Sequence, residues 1–182
     1  LHVGSFDKRK DLITLVKAFK LLKEDKKTKL LKLVLAGQKI LNGNAEVLNE
    51  LESYILTNNL SKSVLMTDYL SSAEISSLYK KALIYVFPSV EEGFGIPILE
   101  AFAMKIPVVT SNAAAMVEIA AGAAEHYNTG DQVELFKTLT KLIISKPERT
   151  CLIEKGSERL KAFSREKFIN DYEHLILKSV NN

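Results

Sequence analysis

The stretch from Val90 to Ala103 reads VEEGFGIPILEAFA, and it follows the apolar run Ala82 to Phe87 and a break at Pro88-Ser89. An apolar run closed by proline predicts a buried strand of a parallel sheet. Pro97 stands where a helix tolerates proline, in its first turn. Glu92-Gly93-Phe94-Gly95 is then a strand-to-helix loop. In an open parallel sheet, ligands bind at the carboxyl ends of the strands, and a helix that begins there offers N–H groups and partial positive charge to an anion. The two glycines let the backbone come close to that anion.

Glu92 in the loop and Glu100 in the helix place one carboxylate at the mouth and the other about a turn deeper. A phosphate on the amides would then have an acceptor on either side of it, each able to hold hydroxyl groups. A ligand with an anion in the middle and polyols at both ends is a nucleotide-sugar. With 22 acidic residues in the chain, glutamate pairs arise at many spacings, so the surrounding string carries more weight than the pair. That string, Glu92-GFGIPIL-Glu100-AFAMKIPVVTSN, ending at Asn112, resembles the donor-site signature of retaining glycosyltransferases with the GT-B fold, the group 1 or family 4 set.

The rest of the chain fits one domain. Its 182 residues are 47% hydrophobic and 26% charged, enough to bury a core without disulfides or metals. A single cysteine, Cys151, allows no internal disulfide and reads as a small apolar residue on a helix. A net charge of +3 is too small to argue for nucleic acid as a partner. No run approaches the length of a membrane span, and no signal-peptide pattern is present. Lys17, Lys20, Lys23, Lys26, Lys27, Lys29 and Lys32 read as the solvated face of an amphipathic helix and its exit. The alternative is a surface for peripheral contact with an anionic membrane. The chain begins in mid-strand without Met and is expected to be a fragment.

Strands are predicted at Leu1–Ser5, Leu30–Ala36, Ser63–Thr67, Leu83–Phe87, Pro107–Thr110 and Ala123–Tyr127. Between the first two, Leu12, Leu15, Val16, Phe19 and Leu22 recur at helical spacing. A polar loop, Gln38 to Asn44, leads to a helix with Val47, Leu48, Leu51, Tyr54 and Ile55 on one face. Ser71 and Glu74 form a capping box ahead of Ile75, Leu78 and Tyr79. Asp131 with Glu134 opens a helix that buries Val133, Phe136, Leu139 and Ile143. Two further helices follow, near Glu148–Phe163 and Ser164–Val180, the second apolar at Phe168, Tyr172, Leu175 and Ile176. The alternation predicts an α/β fold, a doubly wound Rossmann-like parallel sheet of about six strands. By resemblance, residues 1–182 form the donor-binding half of a GT-B architecture, and the N-terminal acceptor-binding domain is a partner outside this chain.

The resemblance implies roles residue by residue. Glu92 corresponds to the glutamate that holds a hydroxyl of the transferred sugar, and the amides of Gly93, Phe94, Gly95 and Ile96 face the sugar and diphosphate. Glu100 matches the glutamate that takes the ribose hydroxyls. Lys10 matches the lysine that clasps the diphosphate. The family's frequent arginine after the first glycine is Ser5 here, while Arg9 just before Lys10 is similar to a variant seen in mannosyl- and related sugar transferases. Thr110, Ser111 and Asn112 occupy the next strand-end loop, near phosphate and sugar. The Gly37-Gln38 and Thr67-Asp68-Tyr69-Leu70 loops flank the base, with Asp68 where a glycine is typical. Glu118 is given a structural role.

Breaking a sugar–phosphate bond leaves charge on the diphosphate, which fixed donors stabilise without proton transfer. The resemblance implies a metal-independent, retaining transfer of a hexose from a UDP-, GDP- or ADP-sugar, with no cofactor. It implies a cytoplasmic setting in polysaccharide assembly, at the inner face of a membrane. No Asp-x-Asp pair is present, since Glu50 and Glu52 lie on a helix where i and i+2 diverge. His2, His126 and His174 lack metal-ligand spacing. Two alternatives stay open: another GT-B nucleotide-sugar enzyme, an epimerase or phosphorylase, or a non-catalytic binding or scaffold module. A dinucleotide-dependent dehydrogenase is disfavoured because Gly4-Ser-Phe-Asp-Lys-Arg is not a Gly-x-Gly-x-x-Gly loop.

Overall fold

The computed structural model describes residues 1–38 and 45–180, apart from the side chains of residues 168, 174, 175, 177, 179 and 180. β1 (His2–Val3), β2 (Leu33–Ala36) and β3 (Val64–Met66) pair in parallel, in the order β1-β2-β3. β4 (Tyr85–Phe87), β5 (Val108–Ser111) and β6 (Glu125–Tyr127) do the same, in the order β4-β5-β6. Leu1 joins the two sets. Its nitrogen donates to Ile84 O at 3.0 Å, and its carbonyl accepts from Val86 N at 2.8 Å. The strands therefore run β3-β2-β1-β4-β5-β6, and the order reverses between β1 and β4, where open sheets collect ligands.

Helices cover both faces. α1 (Leu12–Glu24), α2 (Ala45–Thr57) and α6 (Gln132–Ile144) share one core with Leu33, Leu35, Val86 and Val109. α3 (Ser72–Lys81), α4 (Ile96–Ala103) and α5 (Ala114–Ala120) share the other with Tyr85, Phe87 and Val108. Successive residues of β4 and β5 thus point into opposite cores. This is why the central run of the sequence is apolar without alternation. α7 (Lys146–Leu160) packs on α4, and α8 (Arg165–Val180) follows it.

The start signals read from the sequence are made. Ser71 Oγ accepts from Glu74 N, and the Glu74 carboxylate accepts from Ser71 N at 2.8 Å. Asp131 Oδ1 accepts from both Val133 N and Glu134 N at 2.9 Å. Pro97 and Pro147 stand in the first turns of α4 and α7.

Several expectations are corrected. Every strand but β5 is shorter than expected: Leu30 is 84% exposed, in a turn closed by Leu31 N donating to Thr28 O at 3.0 Å. α6 buries Leu135, Leu139 and Leu142 along its centre line. Phe136 and Ile143 are only partly buried, and Val133 faces outward. Cys151 is exposed. α5 was not expected, because seven residues are too few for a helical period to register against an alanine-rich background. The loop expected through Asn44, and the apolar positions Phe168 and Leu175 with His174, lie outside the described residues or side chains. Tyr172 and Ile176 are exposed. Among the described residues, no helix is long and apolar enough to cross a membrane.

Candidate functional site at the strand-order reversal

The segment leaving β1 turns at once. Ser5 Oγ donates to Asp7 Oδ2 at 2.6 Å, and Asp7 Oδ1 accepts from Arg9 N at 3.0 Å, closing a 3₁₀ turn over Lys8–Lys10. Ser5, standing where the family often has arginine, therefore builds this turn and adds no charge to the site. Burial works against the Asp7 carboxylate, but the Ser5 hydroxyl and the Arg9 and Lys10 charges outweigh it and hold its pKa below the ordinary value. The turn sends Arg9 and Lys10 opposite ways. Arg9 points outward, its side chain 58% exposed and 3.4 Å from Asp7. Lys10 points inward, 4.9 Å above the Phe87 ring, and ion-pairs with Glu92.

That pair is the centre of the site. Its side chains are 10% and 14% exposed, and it lies where the β1 and β4 exits meet. A backbone bond ties the two loops together, Val90 N donating to Arg9 O at 2.8 Å. The sequence reading had Lys10 and Glu92 serving different parts of a ligand and did not foresee their contact. Their separation of 82 positions carries no local signal.

Gly95 caps α4 at φ +98°, a left-handed conformation open to glycine at little cost. Phe94 and Ile96 stand exposed at this mouth. Phe94 meets the edge of Phe163 at 5.9 Å, and the Arg159 guanidinium covers Phe163 at 4.7 Å. Arg159 in turn donates to the Glu118 and Ile119 carbonyls at 2.9 Å, finishing α5. Glu118 enters this network through its backbone.

Glu100 is exposed, so the deeper carboxylate is Glu92 and the expected order is reversed. α4 starts only at Ile96, which leaves Glu100 on its second turn, beside α3. There Tyr79 OH donates to Glu100 Oε2 at 3.3 Å. Burial and the Glu100 charge raise the Tyr79 pKa far above the ordinary phenol value, so it remains a donor at any accessible pH. Beneath it Tyr85 packs at 5.4 Å and donates to Val3 O at 3.1 Å.

On the other side of the reversal, a cavity of about 210 Å³ is lined by Gly4, Gly37, Gln38, Tyr69, Leu70 and Ile75, among others. This one hollow gathers Gly37, Gln38, Tyr69 and Leu70 of the two loops expected to flank a base, while Thr67 and Asp68 do not line it. Gly37 is required here, because a Cβ would lie 1.8 Å from Gly4 O.

β5 extends one residue past its expected end at Thr110, which takes Ser111 from loop to strand and leaves Thr110 inside it. Both are buried in β5 with their hydroxyls engaged, Thr110 Oγ1 with His126 Nδ1 at 2.9 Å and Ser111 Oγ with Ser89 O. Only Asn112 emerges, and its amide holds the β6 exit through Asn128 and Thr129 at 2.8–3.1 Å. Four buried polar atoms near the reversal lack partners among the described residues: His2 Nε2, Asp11 Oδ2, Ser89 Oγ and Tyr127 OH. Among the described residues, no three His, Cys, Asp or Glu side chains converge to hold a metal ion.

The doubly wound α/β fold with a glycine-capped helix at the strand-order reversal is similar to that of known glycosyltransferase domains. The family model described as glycosyl transferases group 1 matches residues 1–159, and the chain belongs to that family. O-antigen chain mannosyltransferase B of Escherichia coli is 27% identical over 91% of this chain and 42% of that protein. O-antigen chain mannosyltransferase RfbU of Salmonella typhimurium is 32% identical over 51% of this chain and 26% of that protein. The chain thus spans less than half of the curated relatives it matches. Among solved structures, the C-terminal domain of the group 1 family protein LpcC from Francisella tularensis superposes with TM-score 0.78 at 24% identity, covering 88% of this chain and 83% of that one. Anabaena Alr3699/HepE in complex with UDP superposes with TM-score 0.84 at 20% identity, covering 98% and 48%. These two likenesses bear on the fold.

Proposed function

We propose that this chain is the donor-binding domain of a retaining glycosyltransferase that moves a hexose from a nucleoside diphosphate to a glycan or lipid-linked acceptor. The observation that carries the reading is the Lys10–Glu92 pair at the strand-order reversal, beside the head of α4. An arriving diphosphate competes with Glu92 for the Lys10 ammonium and is met by the α4 amides. Glu92, released, accepts from a sugar hydroxyl in place of the lysine. The base lies in the hollow by Gly37 and Tyr69, and the ribose lies against Glu100. Asn112 is the part of the β5 exit that reaches the ligand.

Departure of the diphosphate is helped by Lys10 and the backbone amides, joined by Arg9 only once its outward side chain leaves Asp7 and swings inward, and these stabilise the growing negative charge without a metal or a proton transfer. Attack and departure on the same sugar face give retention. The acceptor-binding half belongs to an N-terminal domain of the same protein, so this chain alone binds donor weakly and transfers nothing. Two relatives named as O-antigen mannosyltransferases make mannose the first sugar to try and surface polysaccharide the product class. The setting proposed is the cytoplasmic face of the membrane where such chains are assembled.

Calorimetry with UDP, GDP and ADP and their sugars, in EDTA, tests this. One nucleotide is expected to bind in the micromolar to millimolar range with its sugar tighter still. No binding to any of them at millimolar ligand rejects the reading.

A further inference from the structure

We infer that Tyr79 is a positioning residue for nucleotide recognition, holding Glu100 by one oxygen so that the carboxylate meets the ribose diol in a fixed orientation; this rests on the ribose role proposed for Glu100. Tyr79 lies in the third turn of α3, 2% exposed, where its ring is explained by the core. Its hydroxyl lies between two groups, the Tyr85 side chain and Glu100. A phenylalanine fills the same apolar space, yet the phenol oxygen reaches out of the core to Glu100 Oε2 at 3.3 Å.

The ring that carries it cannot drift. Tyr79 packs on Tyr85, which itself stacks on Phe87 at 6.3 Å and is anchored by its hydroxyl to Val3 O. Val3 also lines the hollow assigned to the base, as does Ile75, one turn before Tyr79 on α3. One rigid aromatic ladder therefore fixes both the wall of the hollow and the carboxylate beside it. Glu100 is exposed and would otherwise sample several rotamers, whose loss on binding weakens affinity. Tyr79 removes part of that cost beforehand. A single hydrogen-bonded oxygen leaves the remaining lone pairs of the carboxylate for two vicinal hydroxyls.

The test compares wild type with Tyr79→Phe by calorimetry, using whichever of UDP, GDP or ADP binds best and its 2′,3′-dideoxy counterpart. Tyr79→Phe is expected to weaken the ribonucleotide by roughly three- to tenfold, the range of one hydrogen bond, with little change for the dideoxy form. In a Glu100→Ala background the same substitution is expected to add nothing. Equal losses for both nucleotides, an unchanged affinity ratio, or a further loss in the Glu100→Ala background overturns the assignment. A variant that no longer folds assigns the hydroxyl to the core and overturns it too. Failure of wild type to bind any nucleotide removes the site reading itself. Binding with normal ribose discrimination in Tyr79→Phe removes the tyrosine alone.

Discussion

At the scale of single residues, Glu92 and Glu100 have the same chemistry in different surroundings, so their removal should have different effects. Glu92 is paired with Lys10 from the facing loop, while Glu100 lies outward beside Tyr79. Glu100→Ala is expected to weaken free nucleotide roughly tenfold, a charge-assisted bond or two. Glu92→Ala should lower the advantage of nucleotide-sugar over nucleotide and leave Lys10 more available to the diphosphate. Equal losses for both ligands in both variants would contradict the division. His2 offers a separate test. It is fully buried, its Nδ1 at 3.1 Å from Val86 O, and burial above all, with Lys10 nearby, lowers its pKa from 6.5 to about 3. Below pH 6.5 the unfolded chain takes up a proton that the folded chain refuses, so stability is full above that pH and lost as pH falls toward 3. Between pH 7 and pH 5 wild type should lose about 2 kcal/mol more than His2→Gln in denaturant titrations. Parallel losses would mean that another group governs the acid limb.

At the scale of elements, the position of α4 depends on its contact with α7. Gly156 sits against Phe102, and a Cβ there would stand 2.6 Å from Phe102 Cδ1. Gly156→Ala therefore overfills the contact even though alanine favours the helix itself, and a net loss of about 1–2 kcal/mol is expected. In a chain of this size that lowers the melting temperature by roughly 2–8 °C. An unchanged or higher melting point would show that α7 yields without cost. This element pair also illustrates what was legible in the sequence. The strand ahead of Pro88, the loop at Gly93–Gly95 and the cap at Ser71 were readable because each is a local signal in consecutive residues. Lys10 and Glu92 were each singled out, but their ion pair was not, because it depends on two strand exits brought together across the sheet. Glu100 was placed at the wrong depth because sequence spacing gives distance along a helix, not which side of it faces solvent. The inward face of α6 was misjudged for a related reason: seven apolar positions fit more than one centre line, and only packing against α1 chooses Leu135, Leu139 and Leu142.

At the scale of the whole molecule, the proposed ligand bridges two halves of the sheet that meet at the reversal and share the core between α1 and α6. β1-β2-β3 and β4-β5-β6 are each laddered, and across the reversal they are joined by the bonds of Leu1, the His2–Val86 and Tyr85–Val3 bonds, the Val90–Arg9 bond, the Lys10–Glu92 pair and the core that α1 and α6 share. The hollow that would take the base belongs to the first half, and the helix head that would take the diphosphate belongs to the second. A nucleoside diphosphate is long enough to touch both, so its binding energy should appear as resistance to their separation. A ligand specific for the folded state at about 100 times its Kd stabilises it by about 2.7 kcal/mol. Hydrogen exchange at saturating nucleotide should therefore slow in segments 4–10, 37–38 and 67–70 of one half and in 88–96 of the other. Slowing should extend into β1 and β4, whose opening requires the halves to part. Adenosine, uridine or guanosine without phosphate should protect only the first group of segments, since nothing then reaches Lys10 or the α4 amides. Protection confined to one half at saturating diphosphate would place the ligand away from the reversal and break the link between this fold and donor binding.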